Sequence, residues 1–456
     1  MSSQTEFRSK IGLIAATVGS AVGLGNIWRF PAEAQAGGGA AFLLVYVLCV
    51  CLLGIPVMLA EFSLGRATRT DAIGAFRKLS PGRAPWWTVG ALSVLTSFLI
   101  LIFYMVVAGW TFEYTWQSIT GELYEPIEGV SAAMANSQFH ARMQQFTQGN
   151  SGPLINTIVV ILINLGILLA GVTKGIERLS NILMPLLFVL LVVFCSVSLM
   201  LENSQEGLRY FLYPDFSKLT PGTCLKALGQ AFFSLSLGMG ILITYASYFP
   251  ASTKMMRTAV TVSSLDLLVA VLMGIIVFPA ITSFGLQGEE LGGTGLVFVT
   301  LPEVFQQIPG TRIWSSLFFM LLSIAALTST ISIAEVSIRS LMDRMHWSRT
   351  RACFTLMAPL LVLSSLCALS MGALDHLRLF DMNMFSLLDY VTANIMLPVA
   401  ALGLCIFVGW IAPKNLLNDE LTNYGTFGTR FYRIVLWCIR YMAPVLILMV
   451  LVSSLI

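Results

Sequence analysis

The chain has 456 residues, 57% of them hydrophobic and only 11% charged, with a mean hydropathy of +0.83. A soluble chain carries about 25% charged residues, so this one lacks the polar side chains to cover a water-facing surface, whereas lipid can solvate an apolar exterior. The net charge of +3 comes with no basic run and gives nucleic acid no footprint.

In chain order, eleven apolar stretches are long enough to cross a bilayer: 11–35, 40–64, 87–119, 153–171, 180–201, 223–248, 258–284, 312–341, 353–371, 385–411 and 434–455. The expected fold is all-α, a single polytopic domain of eleven transmembrane helices. The longest linker, 120–152, is polar and acidic and reads as aqueous. With the N-terminus inside, 18 Lys/Arg lie on the inner side and six on the outer, with Arg29 and Arg440 inside spans. That bias places the N-terminus in the cytoplasm and, with an odd number of spans, the C-terminus outside. No Asn-x-Ser/Thr sequon occurs, which favours a bacterial inner membrane. The eight cysteines form no CxxC motif and the three histidines do not converge, so neither a metal centre nor an enzyme's nucleophile–base pair is indicated.

Two spans are poorly made as helices. The first holds Gly19, Gly23 and Gly25, and the sixth runs Ser234-Leu235-Ser236-Leu237-Gly238-Met239-Gly240. Glycine costs about 1 kcal/mol against alanine in a helix. An unwound segment in lipid is tolerated only where protein buries it or a cavity adjoins it. Close packing of small residues is the plain alternative. The two segments fall at matching positions if spans 1–5 (11–201) and 6–10 (223–411) are inverted halves, with 434–455 left over. Interrupted helices so placed point to a transporter's binding site. A channel is the rival class, but the sequence has no ring-type filter motif.

The strings GSAVGLGNIWRFP (19–31), GGGAAF (37–42), GIPVMLAE (54–61), SLSLGMG (234–240), ITYASY (243–248) and ALTSTISIAE (326–335) resemble the neurotransmitter:sodium symporter family over nearly the whole chain, and its bacterial amino-acid-transporting branch in particular. That resemblance implies a 5+5 inverted repeat with helices 1 and 6 unwound mid-membrane, alternating access, and two sodium ions as co-substrates. The first ion would be held by Ala21, Asn26, Ser234, Asp266 and the substrate's own carboxylate. The second would be held by Gly19, Val22, Ala325, Thr328 and Ser329. Read without the family, the hydroxyls at 328–330 would simply bond back to their own helix.

By the same resemblance, a substrate carboxylate would meet the Leu24 and Gly25 N–H groups and the Tyr104 hydroxyl. The amine would meet carbonyls of Ala21 and Phe233 together with Ser236. Ile100, Phe233, Met239, Ser329 and Ile333 would line the side-chain pocket. Amine transporters of the family carry Asp where this chain has Gly23, so a neutral, hydrophobic or aromatic L-amino acid is expected. An amine or other small metabolite is the alternative. Asp266 supplies a fixed charge beside Tyr46 and Gln230, so chloride should be unnecessary, and a proton taken up there after sodium leaves would make proton antiport part of the cycle. Arg29 and Asp389 would form the outer gate over Phe233. Asp343 matches the inner-gate acid, but its N-terminal arginine partner aligns with Gln4, leaving Arg8 or Lys10 as partners. Glu61 would brace the first unwound segment, and Gly175 and Pro185 would allow the fifth helix to unwind. A homodimer is allowed by the family but not demanded by the sequence.

Overall fold

The computed structural model describes residues 6–82, 84–127, 135–284, 294–426 and 431–455. Its helices, in chain order, are α1 (Lys10–Ala21), α2 (Gly25–Ala36), α3 (Ala40–Thr68), α4 (Ala72–Leu79), α5 (Trp87–Thr120) and α6 (Ala135–Thr147). They continue with α7 (Ser151–Leu169), α8 (Val172–Leu199), α9 (Ser204–Leu212), α10 (Pro221–Ser234), α11 (Ile241–Ala246) and α12 (Met255–Ser283). The last six are α13 (Leu296–Gln306), α14 (Thr311–Met345), α15 (Arg349–Leu369), α16 (Met384–Ile411), α17 (Leu416–Thr422) and α18 (Tyr432–Ser453). Among the described residues nine helices are long and apolar enough to span a bilayer, and the bent pair α1–α2 makes a tenth. The reading of eleven crossings holds only if α10 and α11, each too short alone, are counted as one broken crossing.

Helix starts follow local chemistry. Ser9, Asp71, Thr220, Ser348 and Asn383 each cap a helix with a side-chain oxygen, satisfying N–H groups that have no partner in the first turn. One boundary departs from the sequence reading. The span read as 180–201 begins at Val172: Lys174 and Arg178 look like loop residues, yet long basic side chains keep their heads in water while their stems run along the helix. The linker 120–152 carries the polar helix α6.

Helix α14 packs along α5, and α1 lies against α8, α12 and α14. Of the most apolar stretch of each helix, 83% is buried in α14 and 28% in α18, which puts α14 at the centre and α18 at the rim. The outward faces stay apolar: Leu44, Leu48 and Leu52 form an exposed stripe on α3, and Ile155, Val159 and Leu162 another on α7. Stripes of that kind at helical spacing belong against lipid.

Candidate functional site

The two poor helices break where the glycines and serines predict. Between α1 and α2 the chain turns through 54° over residues 22–24. The Leu24 N–H freed by the break donates to the Tyr104 hydroxyl on α5 at 3.1 Å. A Cβ on Gly23 would sit 2.6 Å from Ser329 Oγ and 2.9 Å from the Tyr104 hydroxyl, so only glycine leaves that point open. The second break, 235–240, is held by left-handed residues, Ser236 (φ 55°), Gly238 (φ 80°) and Gly240 (φ 73°). Ser236 Oγ donates to the Ser20 carbonyl at 2.8 Å, which ties one break to the other. Glu61 accepts from Gly238 N–H at 2.7 Å. That bond braces the second unwound segment, not the first as the resemblance suggests, because α3 runs beside α11.

Between the breaks lies a chamber of about 20 Å³, a volume that suits roughly one water. Ala21, Gly23, Gly25, Ile100, Tyr104, Phe233, Ser236, Met239, Ser329 and Ile333 all line it, with Ser20 and Ser234. Leu24 faces the larger cavity above. No lining residue is charged.

Beside the chamber, Asp266 on α12 is fully buried. Its carboxylate accepts from Asn26 Nδ2 at 2.9 Å, from Ser234 Oγ at 2.7 and 2.9 Å, and from the Tyr46 hydroxyl at 3.2 Å. Every one of these donors is neutral, and among the described residues no Lys or Arg forms an ion pair with Asp266. A buried charge without a counter-charge is costly. Asp266 and Ser234 thus gather three oxygens, the ligand type a hard cation prefers, while Asn26 turns its amide N–H to them and its Oδ1 to Gly23 N–H at 3.5 Å. Gln230 instead donates to the Gly25 carbonyl at 3.0 Å and holds the start of α2.

The second oxygen cluster lies where α1 meets α14. Thr328 Oγ1 bonds back to the carbonyls of Ile324 and Ala325, each at 3.1 Å, the ordinary fate of a helical threonine. Ser329 Oγ reaches across to the Gly19 carbonyl at 3.4 Å. A Cβ on Gly19 would sit 3.3 Å from Thr328 Cβ, so α1 and α14 approach closely here, and Val22 stands one residue past the end of α1. The two hydroxyls already bond the Ala325 and Gly19 carbonyls.

Above the chamber a cavity of about 300 Å³ holds both Arg29 and Asp389 in its walls. Among the described residues they form no ion pair with one another. Arg29 lies instead over the Phe233 ring, 4.9 Å from its centre, and Phe233 separates this cavity from the chamber. The opposite end is shut. Phe7 packs edge-on against Tyr245 and Tyr248, and its N–H donates to the Tyr248 carbonyl.

At that end Asp343 does not pair with Arg8 or Lys10, both exposed; Gln4 lies outside the described residues. Its partner is Arg339 at 2.9 Å, one turn back on the same helix, where (i, i+4) spacing makes the pair almost automatic. Asp343 also accepts from Asp71 N–H at 2.9 Å and Thr70 Oγ1 at 3.1 Å. Burial, with Asp343 close by, pushes the Asp71 carboxyl above the usual carboxylate range.

The sequence reading missed Glu177. It stands two residues after Gly175 on α8 and accepts from Arg8 N–H and Ser9 N–H at 3.0 Å each and from Ser9 Oγ at 3.1 Å. A Cβ on Gly12 would run into its carboxylate. The start of α1 is thus held by the turn of α8 that follows Gly175. A lone acid inside the Gly175–Pro185 spacing was the signal available.

The comparisons agree with this geometry. The profile of the Sodium:neurotransmitter symporter family matches residues 4–132 and 130–456. An uncharacterized sodium-dependent transporter, YhdH, of Bacillus subtilis is 35% identical, covering 98% of this chain and 96% of its own. A sodium-dependent transporter of Haemophilus influenzae is 33% identical over 98% and 97%. Among solved structures, MhsT in complex with L-phenylalanine superposes with a TM-score of 0.88 at 39% identity, covering 99% of both chains. Broken helices around a buried chamber, an apolar exterior and these full-length matches lead to one conclusion: the chain belongs to the sodium:neurotransmitter symporter family and is a polytopic, all-helical, sodium-dependent membrane symporter.

Proposed function

We propose that the protein uses the sodium gradient to take up neutral L-amino acids, hydrophobic and aromatic ones first. The observation that carries this is the chamber between the breaks, whose walls are uncharged and whose polar groups are backbone, hydroxyls and one phenol. Gly23 leaves space where an amine substrate would need an acid. The Leu24 N–H and the Tyr104 hydroxyl stand together at the positive end of a half-helix, where a carboxylate is favoured. Met239, unbranched and adaptable, suits side chains of varied shape. MhsT, a full-length structural neighbour, binds L-phenylalanine.

In this reading two sodium ions enter with the substrate. The first sits among Ala21, Asn26, Ser234 and Asp266 and shares an oxygen with the substrate carboxylate. The second sits among Gly19, Val22, Ala325, Thr328 and Ser329. Asp266 supplies the negative charge that would otherwise be recruited as chloride, and a proton is its remaining neutralising partner once sodium leaves. Spans 1–5 and 6–10 act as inverted halves, and alternating access opens first above Phe233, at Arg29 and Asp389. The inner end then opens at Phe7, Asp343 and the Gly175–Pro185 segment. The Lys/Arg bias favours the cytoplasm for that inner end, and the lack of sequons favours a bacterial membrane.

Uptake into proteoliposomes tests the reading. Wild-type protein should accumulate L-phenylalanine or L-leucine on a sodium gradient equally well in chloride and gluconate. Asp266→Asn should lose uptake or become chloride-responsive. A wild-type requirement for chloride would refute the fixed-charge role, and accumulation of an amine in preference to any amino acid would refute the substrate class.

A further inference from the structure

At the end of the molecule that carries the N-terminus, a cavity of about 700 Å³ opens apart from the chamber between the breaks. Its walls are Arg77 and Ser80 at the end of α4, Gly82 and Ala84 in the following turn, Trp87 at the start of α5, and Arg344 in the last turn of α14. We propose that this cavity binds the phosphate of an anionic phospholipid headgroup between Arg77 and Arg344.

Three observations support the assignment. First, the two guanidiniums come from different helices and are poorly satisfied by protein. Arg77 is exposed and has no hydrogen bond or ion pair among the described residues. Among the described residues Arg344 reaches only Asp71, at 3.7 Å, long for a charge-assisted contact. Secondly, Asp71 keeps its capping bonds without Arg344. Its carboxylate already accepts from Ile73 N–H at 3.1 Å, Gly74 N–H at 3.2 Å and Ser340 Oγ at 3.1 Å, so Arg344 can turn to a ligand without uncapping α4. Thirdly, Trp87 is 44% exposed at the first residue of a spanning helix, where tryptophan marks headgroup depth. A Cβ on Gly82 would meet nothing within 4 Å, so the floor is open.

Guanidinium groups match the oxygen geometry of phosphate, and basic pockets between spanning helices are where anionic headgroups lodge. The ligand would do more than adhere. Arg77 belongs to α4 and Arg344 to α14, the two segments that Asp343 already joins through Thr70 and Asp71. A phosphate held by both adds a second tie across the closed inner end.

The test is native mass spectrometry of the full chain, released from nanodiscs of phosphatidylcholine and phosphatidylglycerol in equal parts. Wild-type protein should retain phosphatidylglycerol preferentially. Each single variant, Arg77→Gln and Arg344→Gln, should lose about fivefold of that preference, and the double variant about thirtyfold. Lys10→Gln, an exposed base at the same end, should lose none. The single variants keep the test decisive should the double variant not fold. Equal retention of the two lipids by the wild type, or an undiminished preference in the arginine variants, would overturn the proposal. In nanodiscs of phosphatidylcholine alone, inorganic phosphate should leave the melting temperature unchanged. A rise matching that given by phosphatidylglycerol would mean the site takes the free anion, not the lipid.

Discussion

Gly23 and Asp266 show how single residues set the chemistry of the chamber. At Gly23 the missing side chain is the functional group, since any Cβ presses on Ser329 and Tyr104. Gly23→Ala should lower amino-acid affinity by about tenfold or more, and overpacking against Ser329 and Tyr104 should lower the melting temperature as well. Isothermal titration alongside a thermal melt would check this, and undiminished affinity would mean the carboxylate is held elsewhere. Asp71 gives a pH-dependent case outside the membrane. Its carboxyl lies above the usual range because it is buried beside Asp343, so the ionised form costs the folded state stability at neutral pH. Asparagine caps a helix about as well as aspartate. Asp71→Asn should therefore match or exceed wild-type stability by about 0.5 kcal/mol at pH 7. The difference should vanish as pH falls through the raised Asp71 range and the wild-type carboxyl takes its proton. Melts from pH 8 to pH 4 would show the two curves converging; divergence toward acid would contradict it.

The breaks were the most legible elements in the sequence. Clusters of glycine and serine inside apolar runs located residues 22–24 and 235–240 because no tertiary contact is needed to see that such segments make poor helices. Less legible was everything resting on long-range pairing. Glu177 reaches residues 168 and 169 positions away, and nothing local distinguishes it from a solvated acid. The sequence leaves Arg8 or Lys10 as partners for Asp343 across the gate, whereas Arg339 stands a turn away, and the resemblance puts Glu61 at the first break, whereas it bonds the second. Glu177 makes α8 and α1 one mechanical unit: unwinding at Gly175 would withdraw the acid that caps α1. Glu177→Ala removes three hydrogen bonds to a carboxylate, worth about 3 kcal/mol together once non-additivity is allowed for. Amide exchange across residues 10–16 should then accelerate by about a hundredfold, and an unchanged rate would uncouple the two helices.

The molecule as a whole is pinned at its inner end and loose at its outer end. Arg349 holds Glu335 through two bonds, at 2.6 and 3.0 Å, and the same carboxylate accepts from the Tyr248 hydroxyl at 2.8 Å. Arg349 also bonds the Leu168 carbonyl at 2.6 Å, so one ion pair joins α7, α14 and α15. Removing one partner of a buried pair costs about 3–5 kcal/mol. Glu335→Ala should show that loss in a thermal or denaturant melt, whereas a loss under 1 kcal/mol would mean the pair is not what closes this end. At the outer end, Arg29 and Asp389 share a cavity without pairing, and Phe233 and Tyr104 line both that cavity and the chamber. A chain in this state should take substrate from outside.

The most direct test is equilibrium binding of a panel of labelled L-amino acids to the purified protein, in sodium and then in potassium. Saturable binding of phenylalanine, leucine or a relative in sodium, abolished in potassium and weakened by Asp266→Asn, is the predicted result. Binding that ignores the cation, or no binding of any neutral amino acid, would contradict the account.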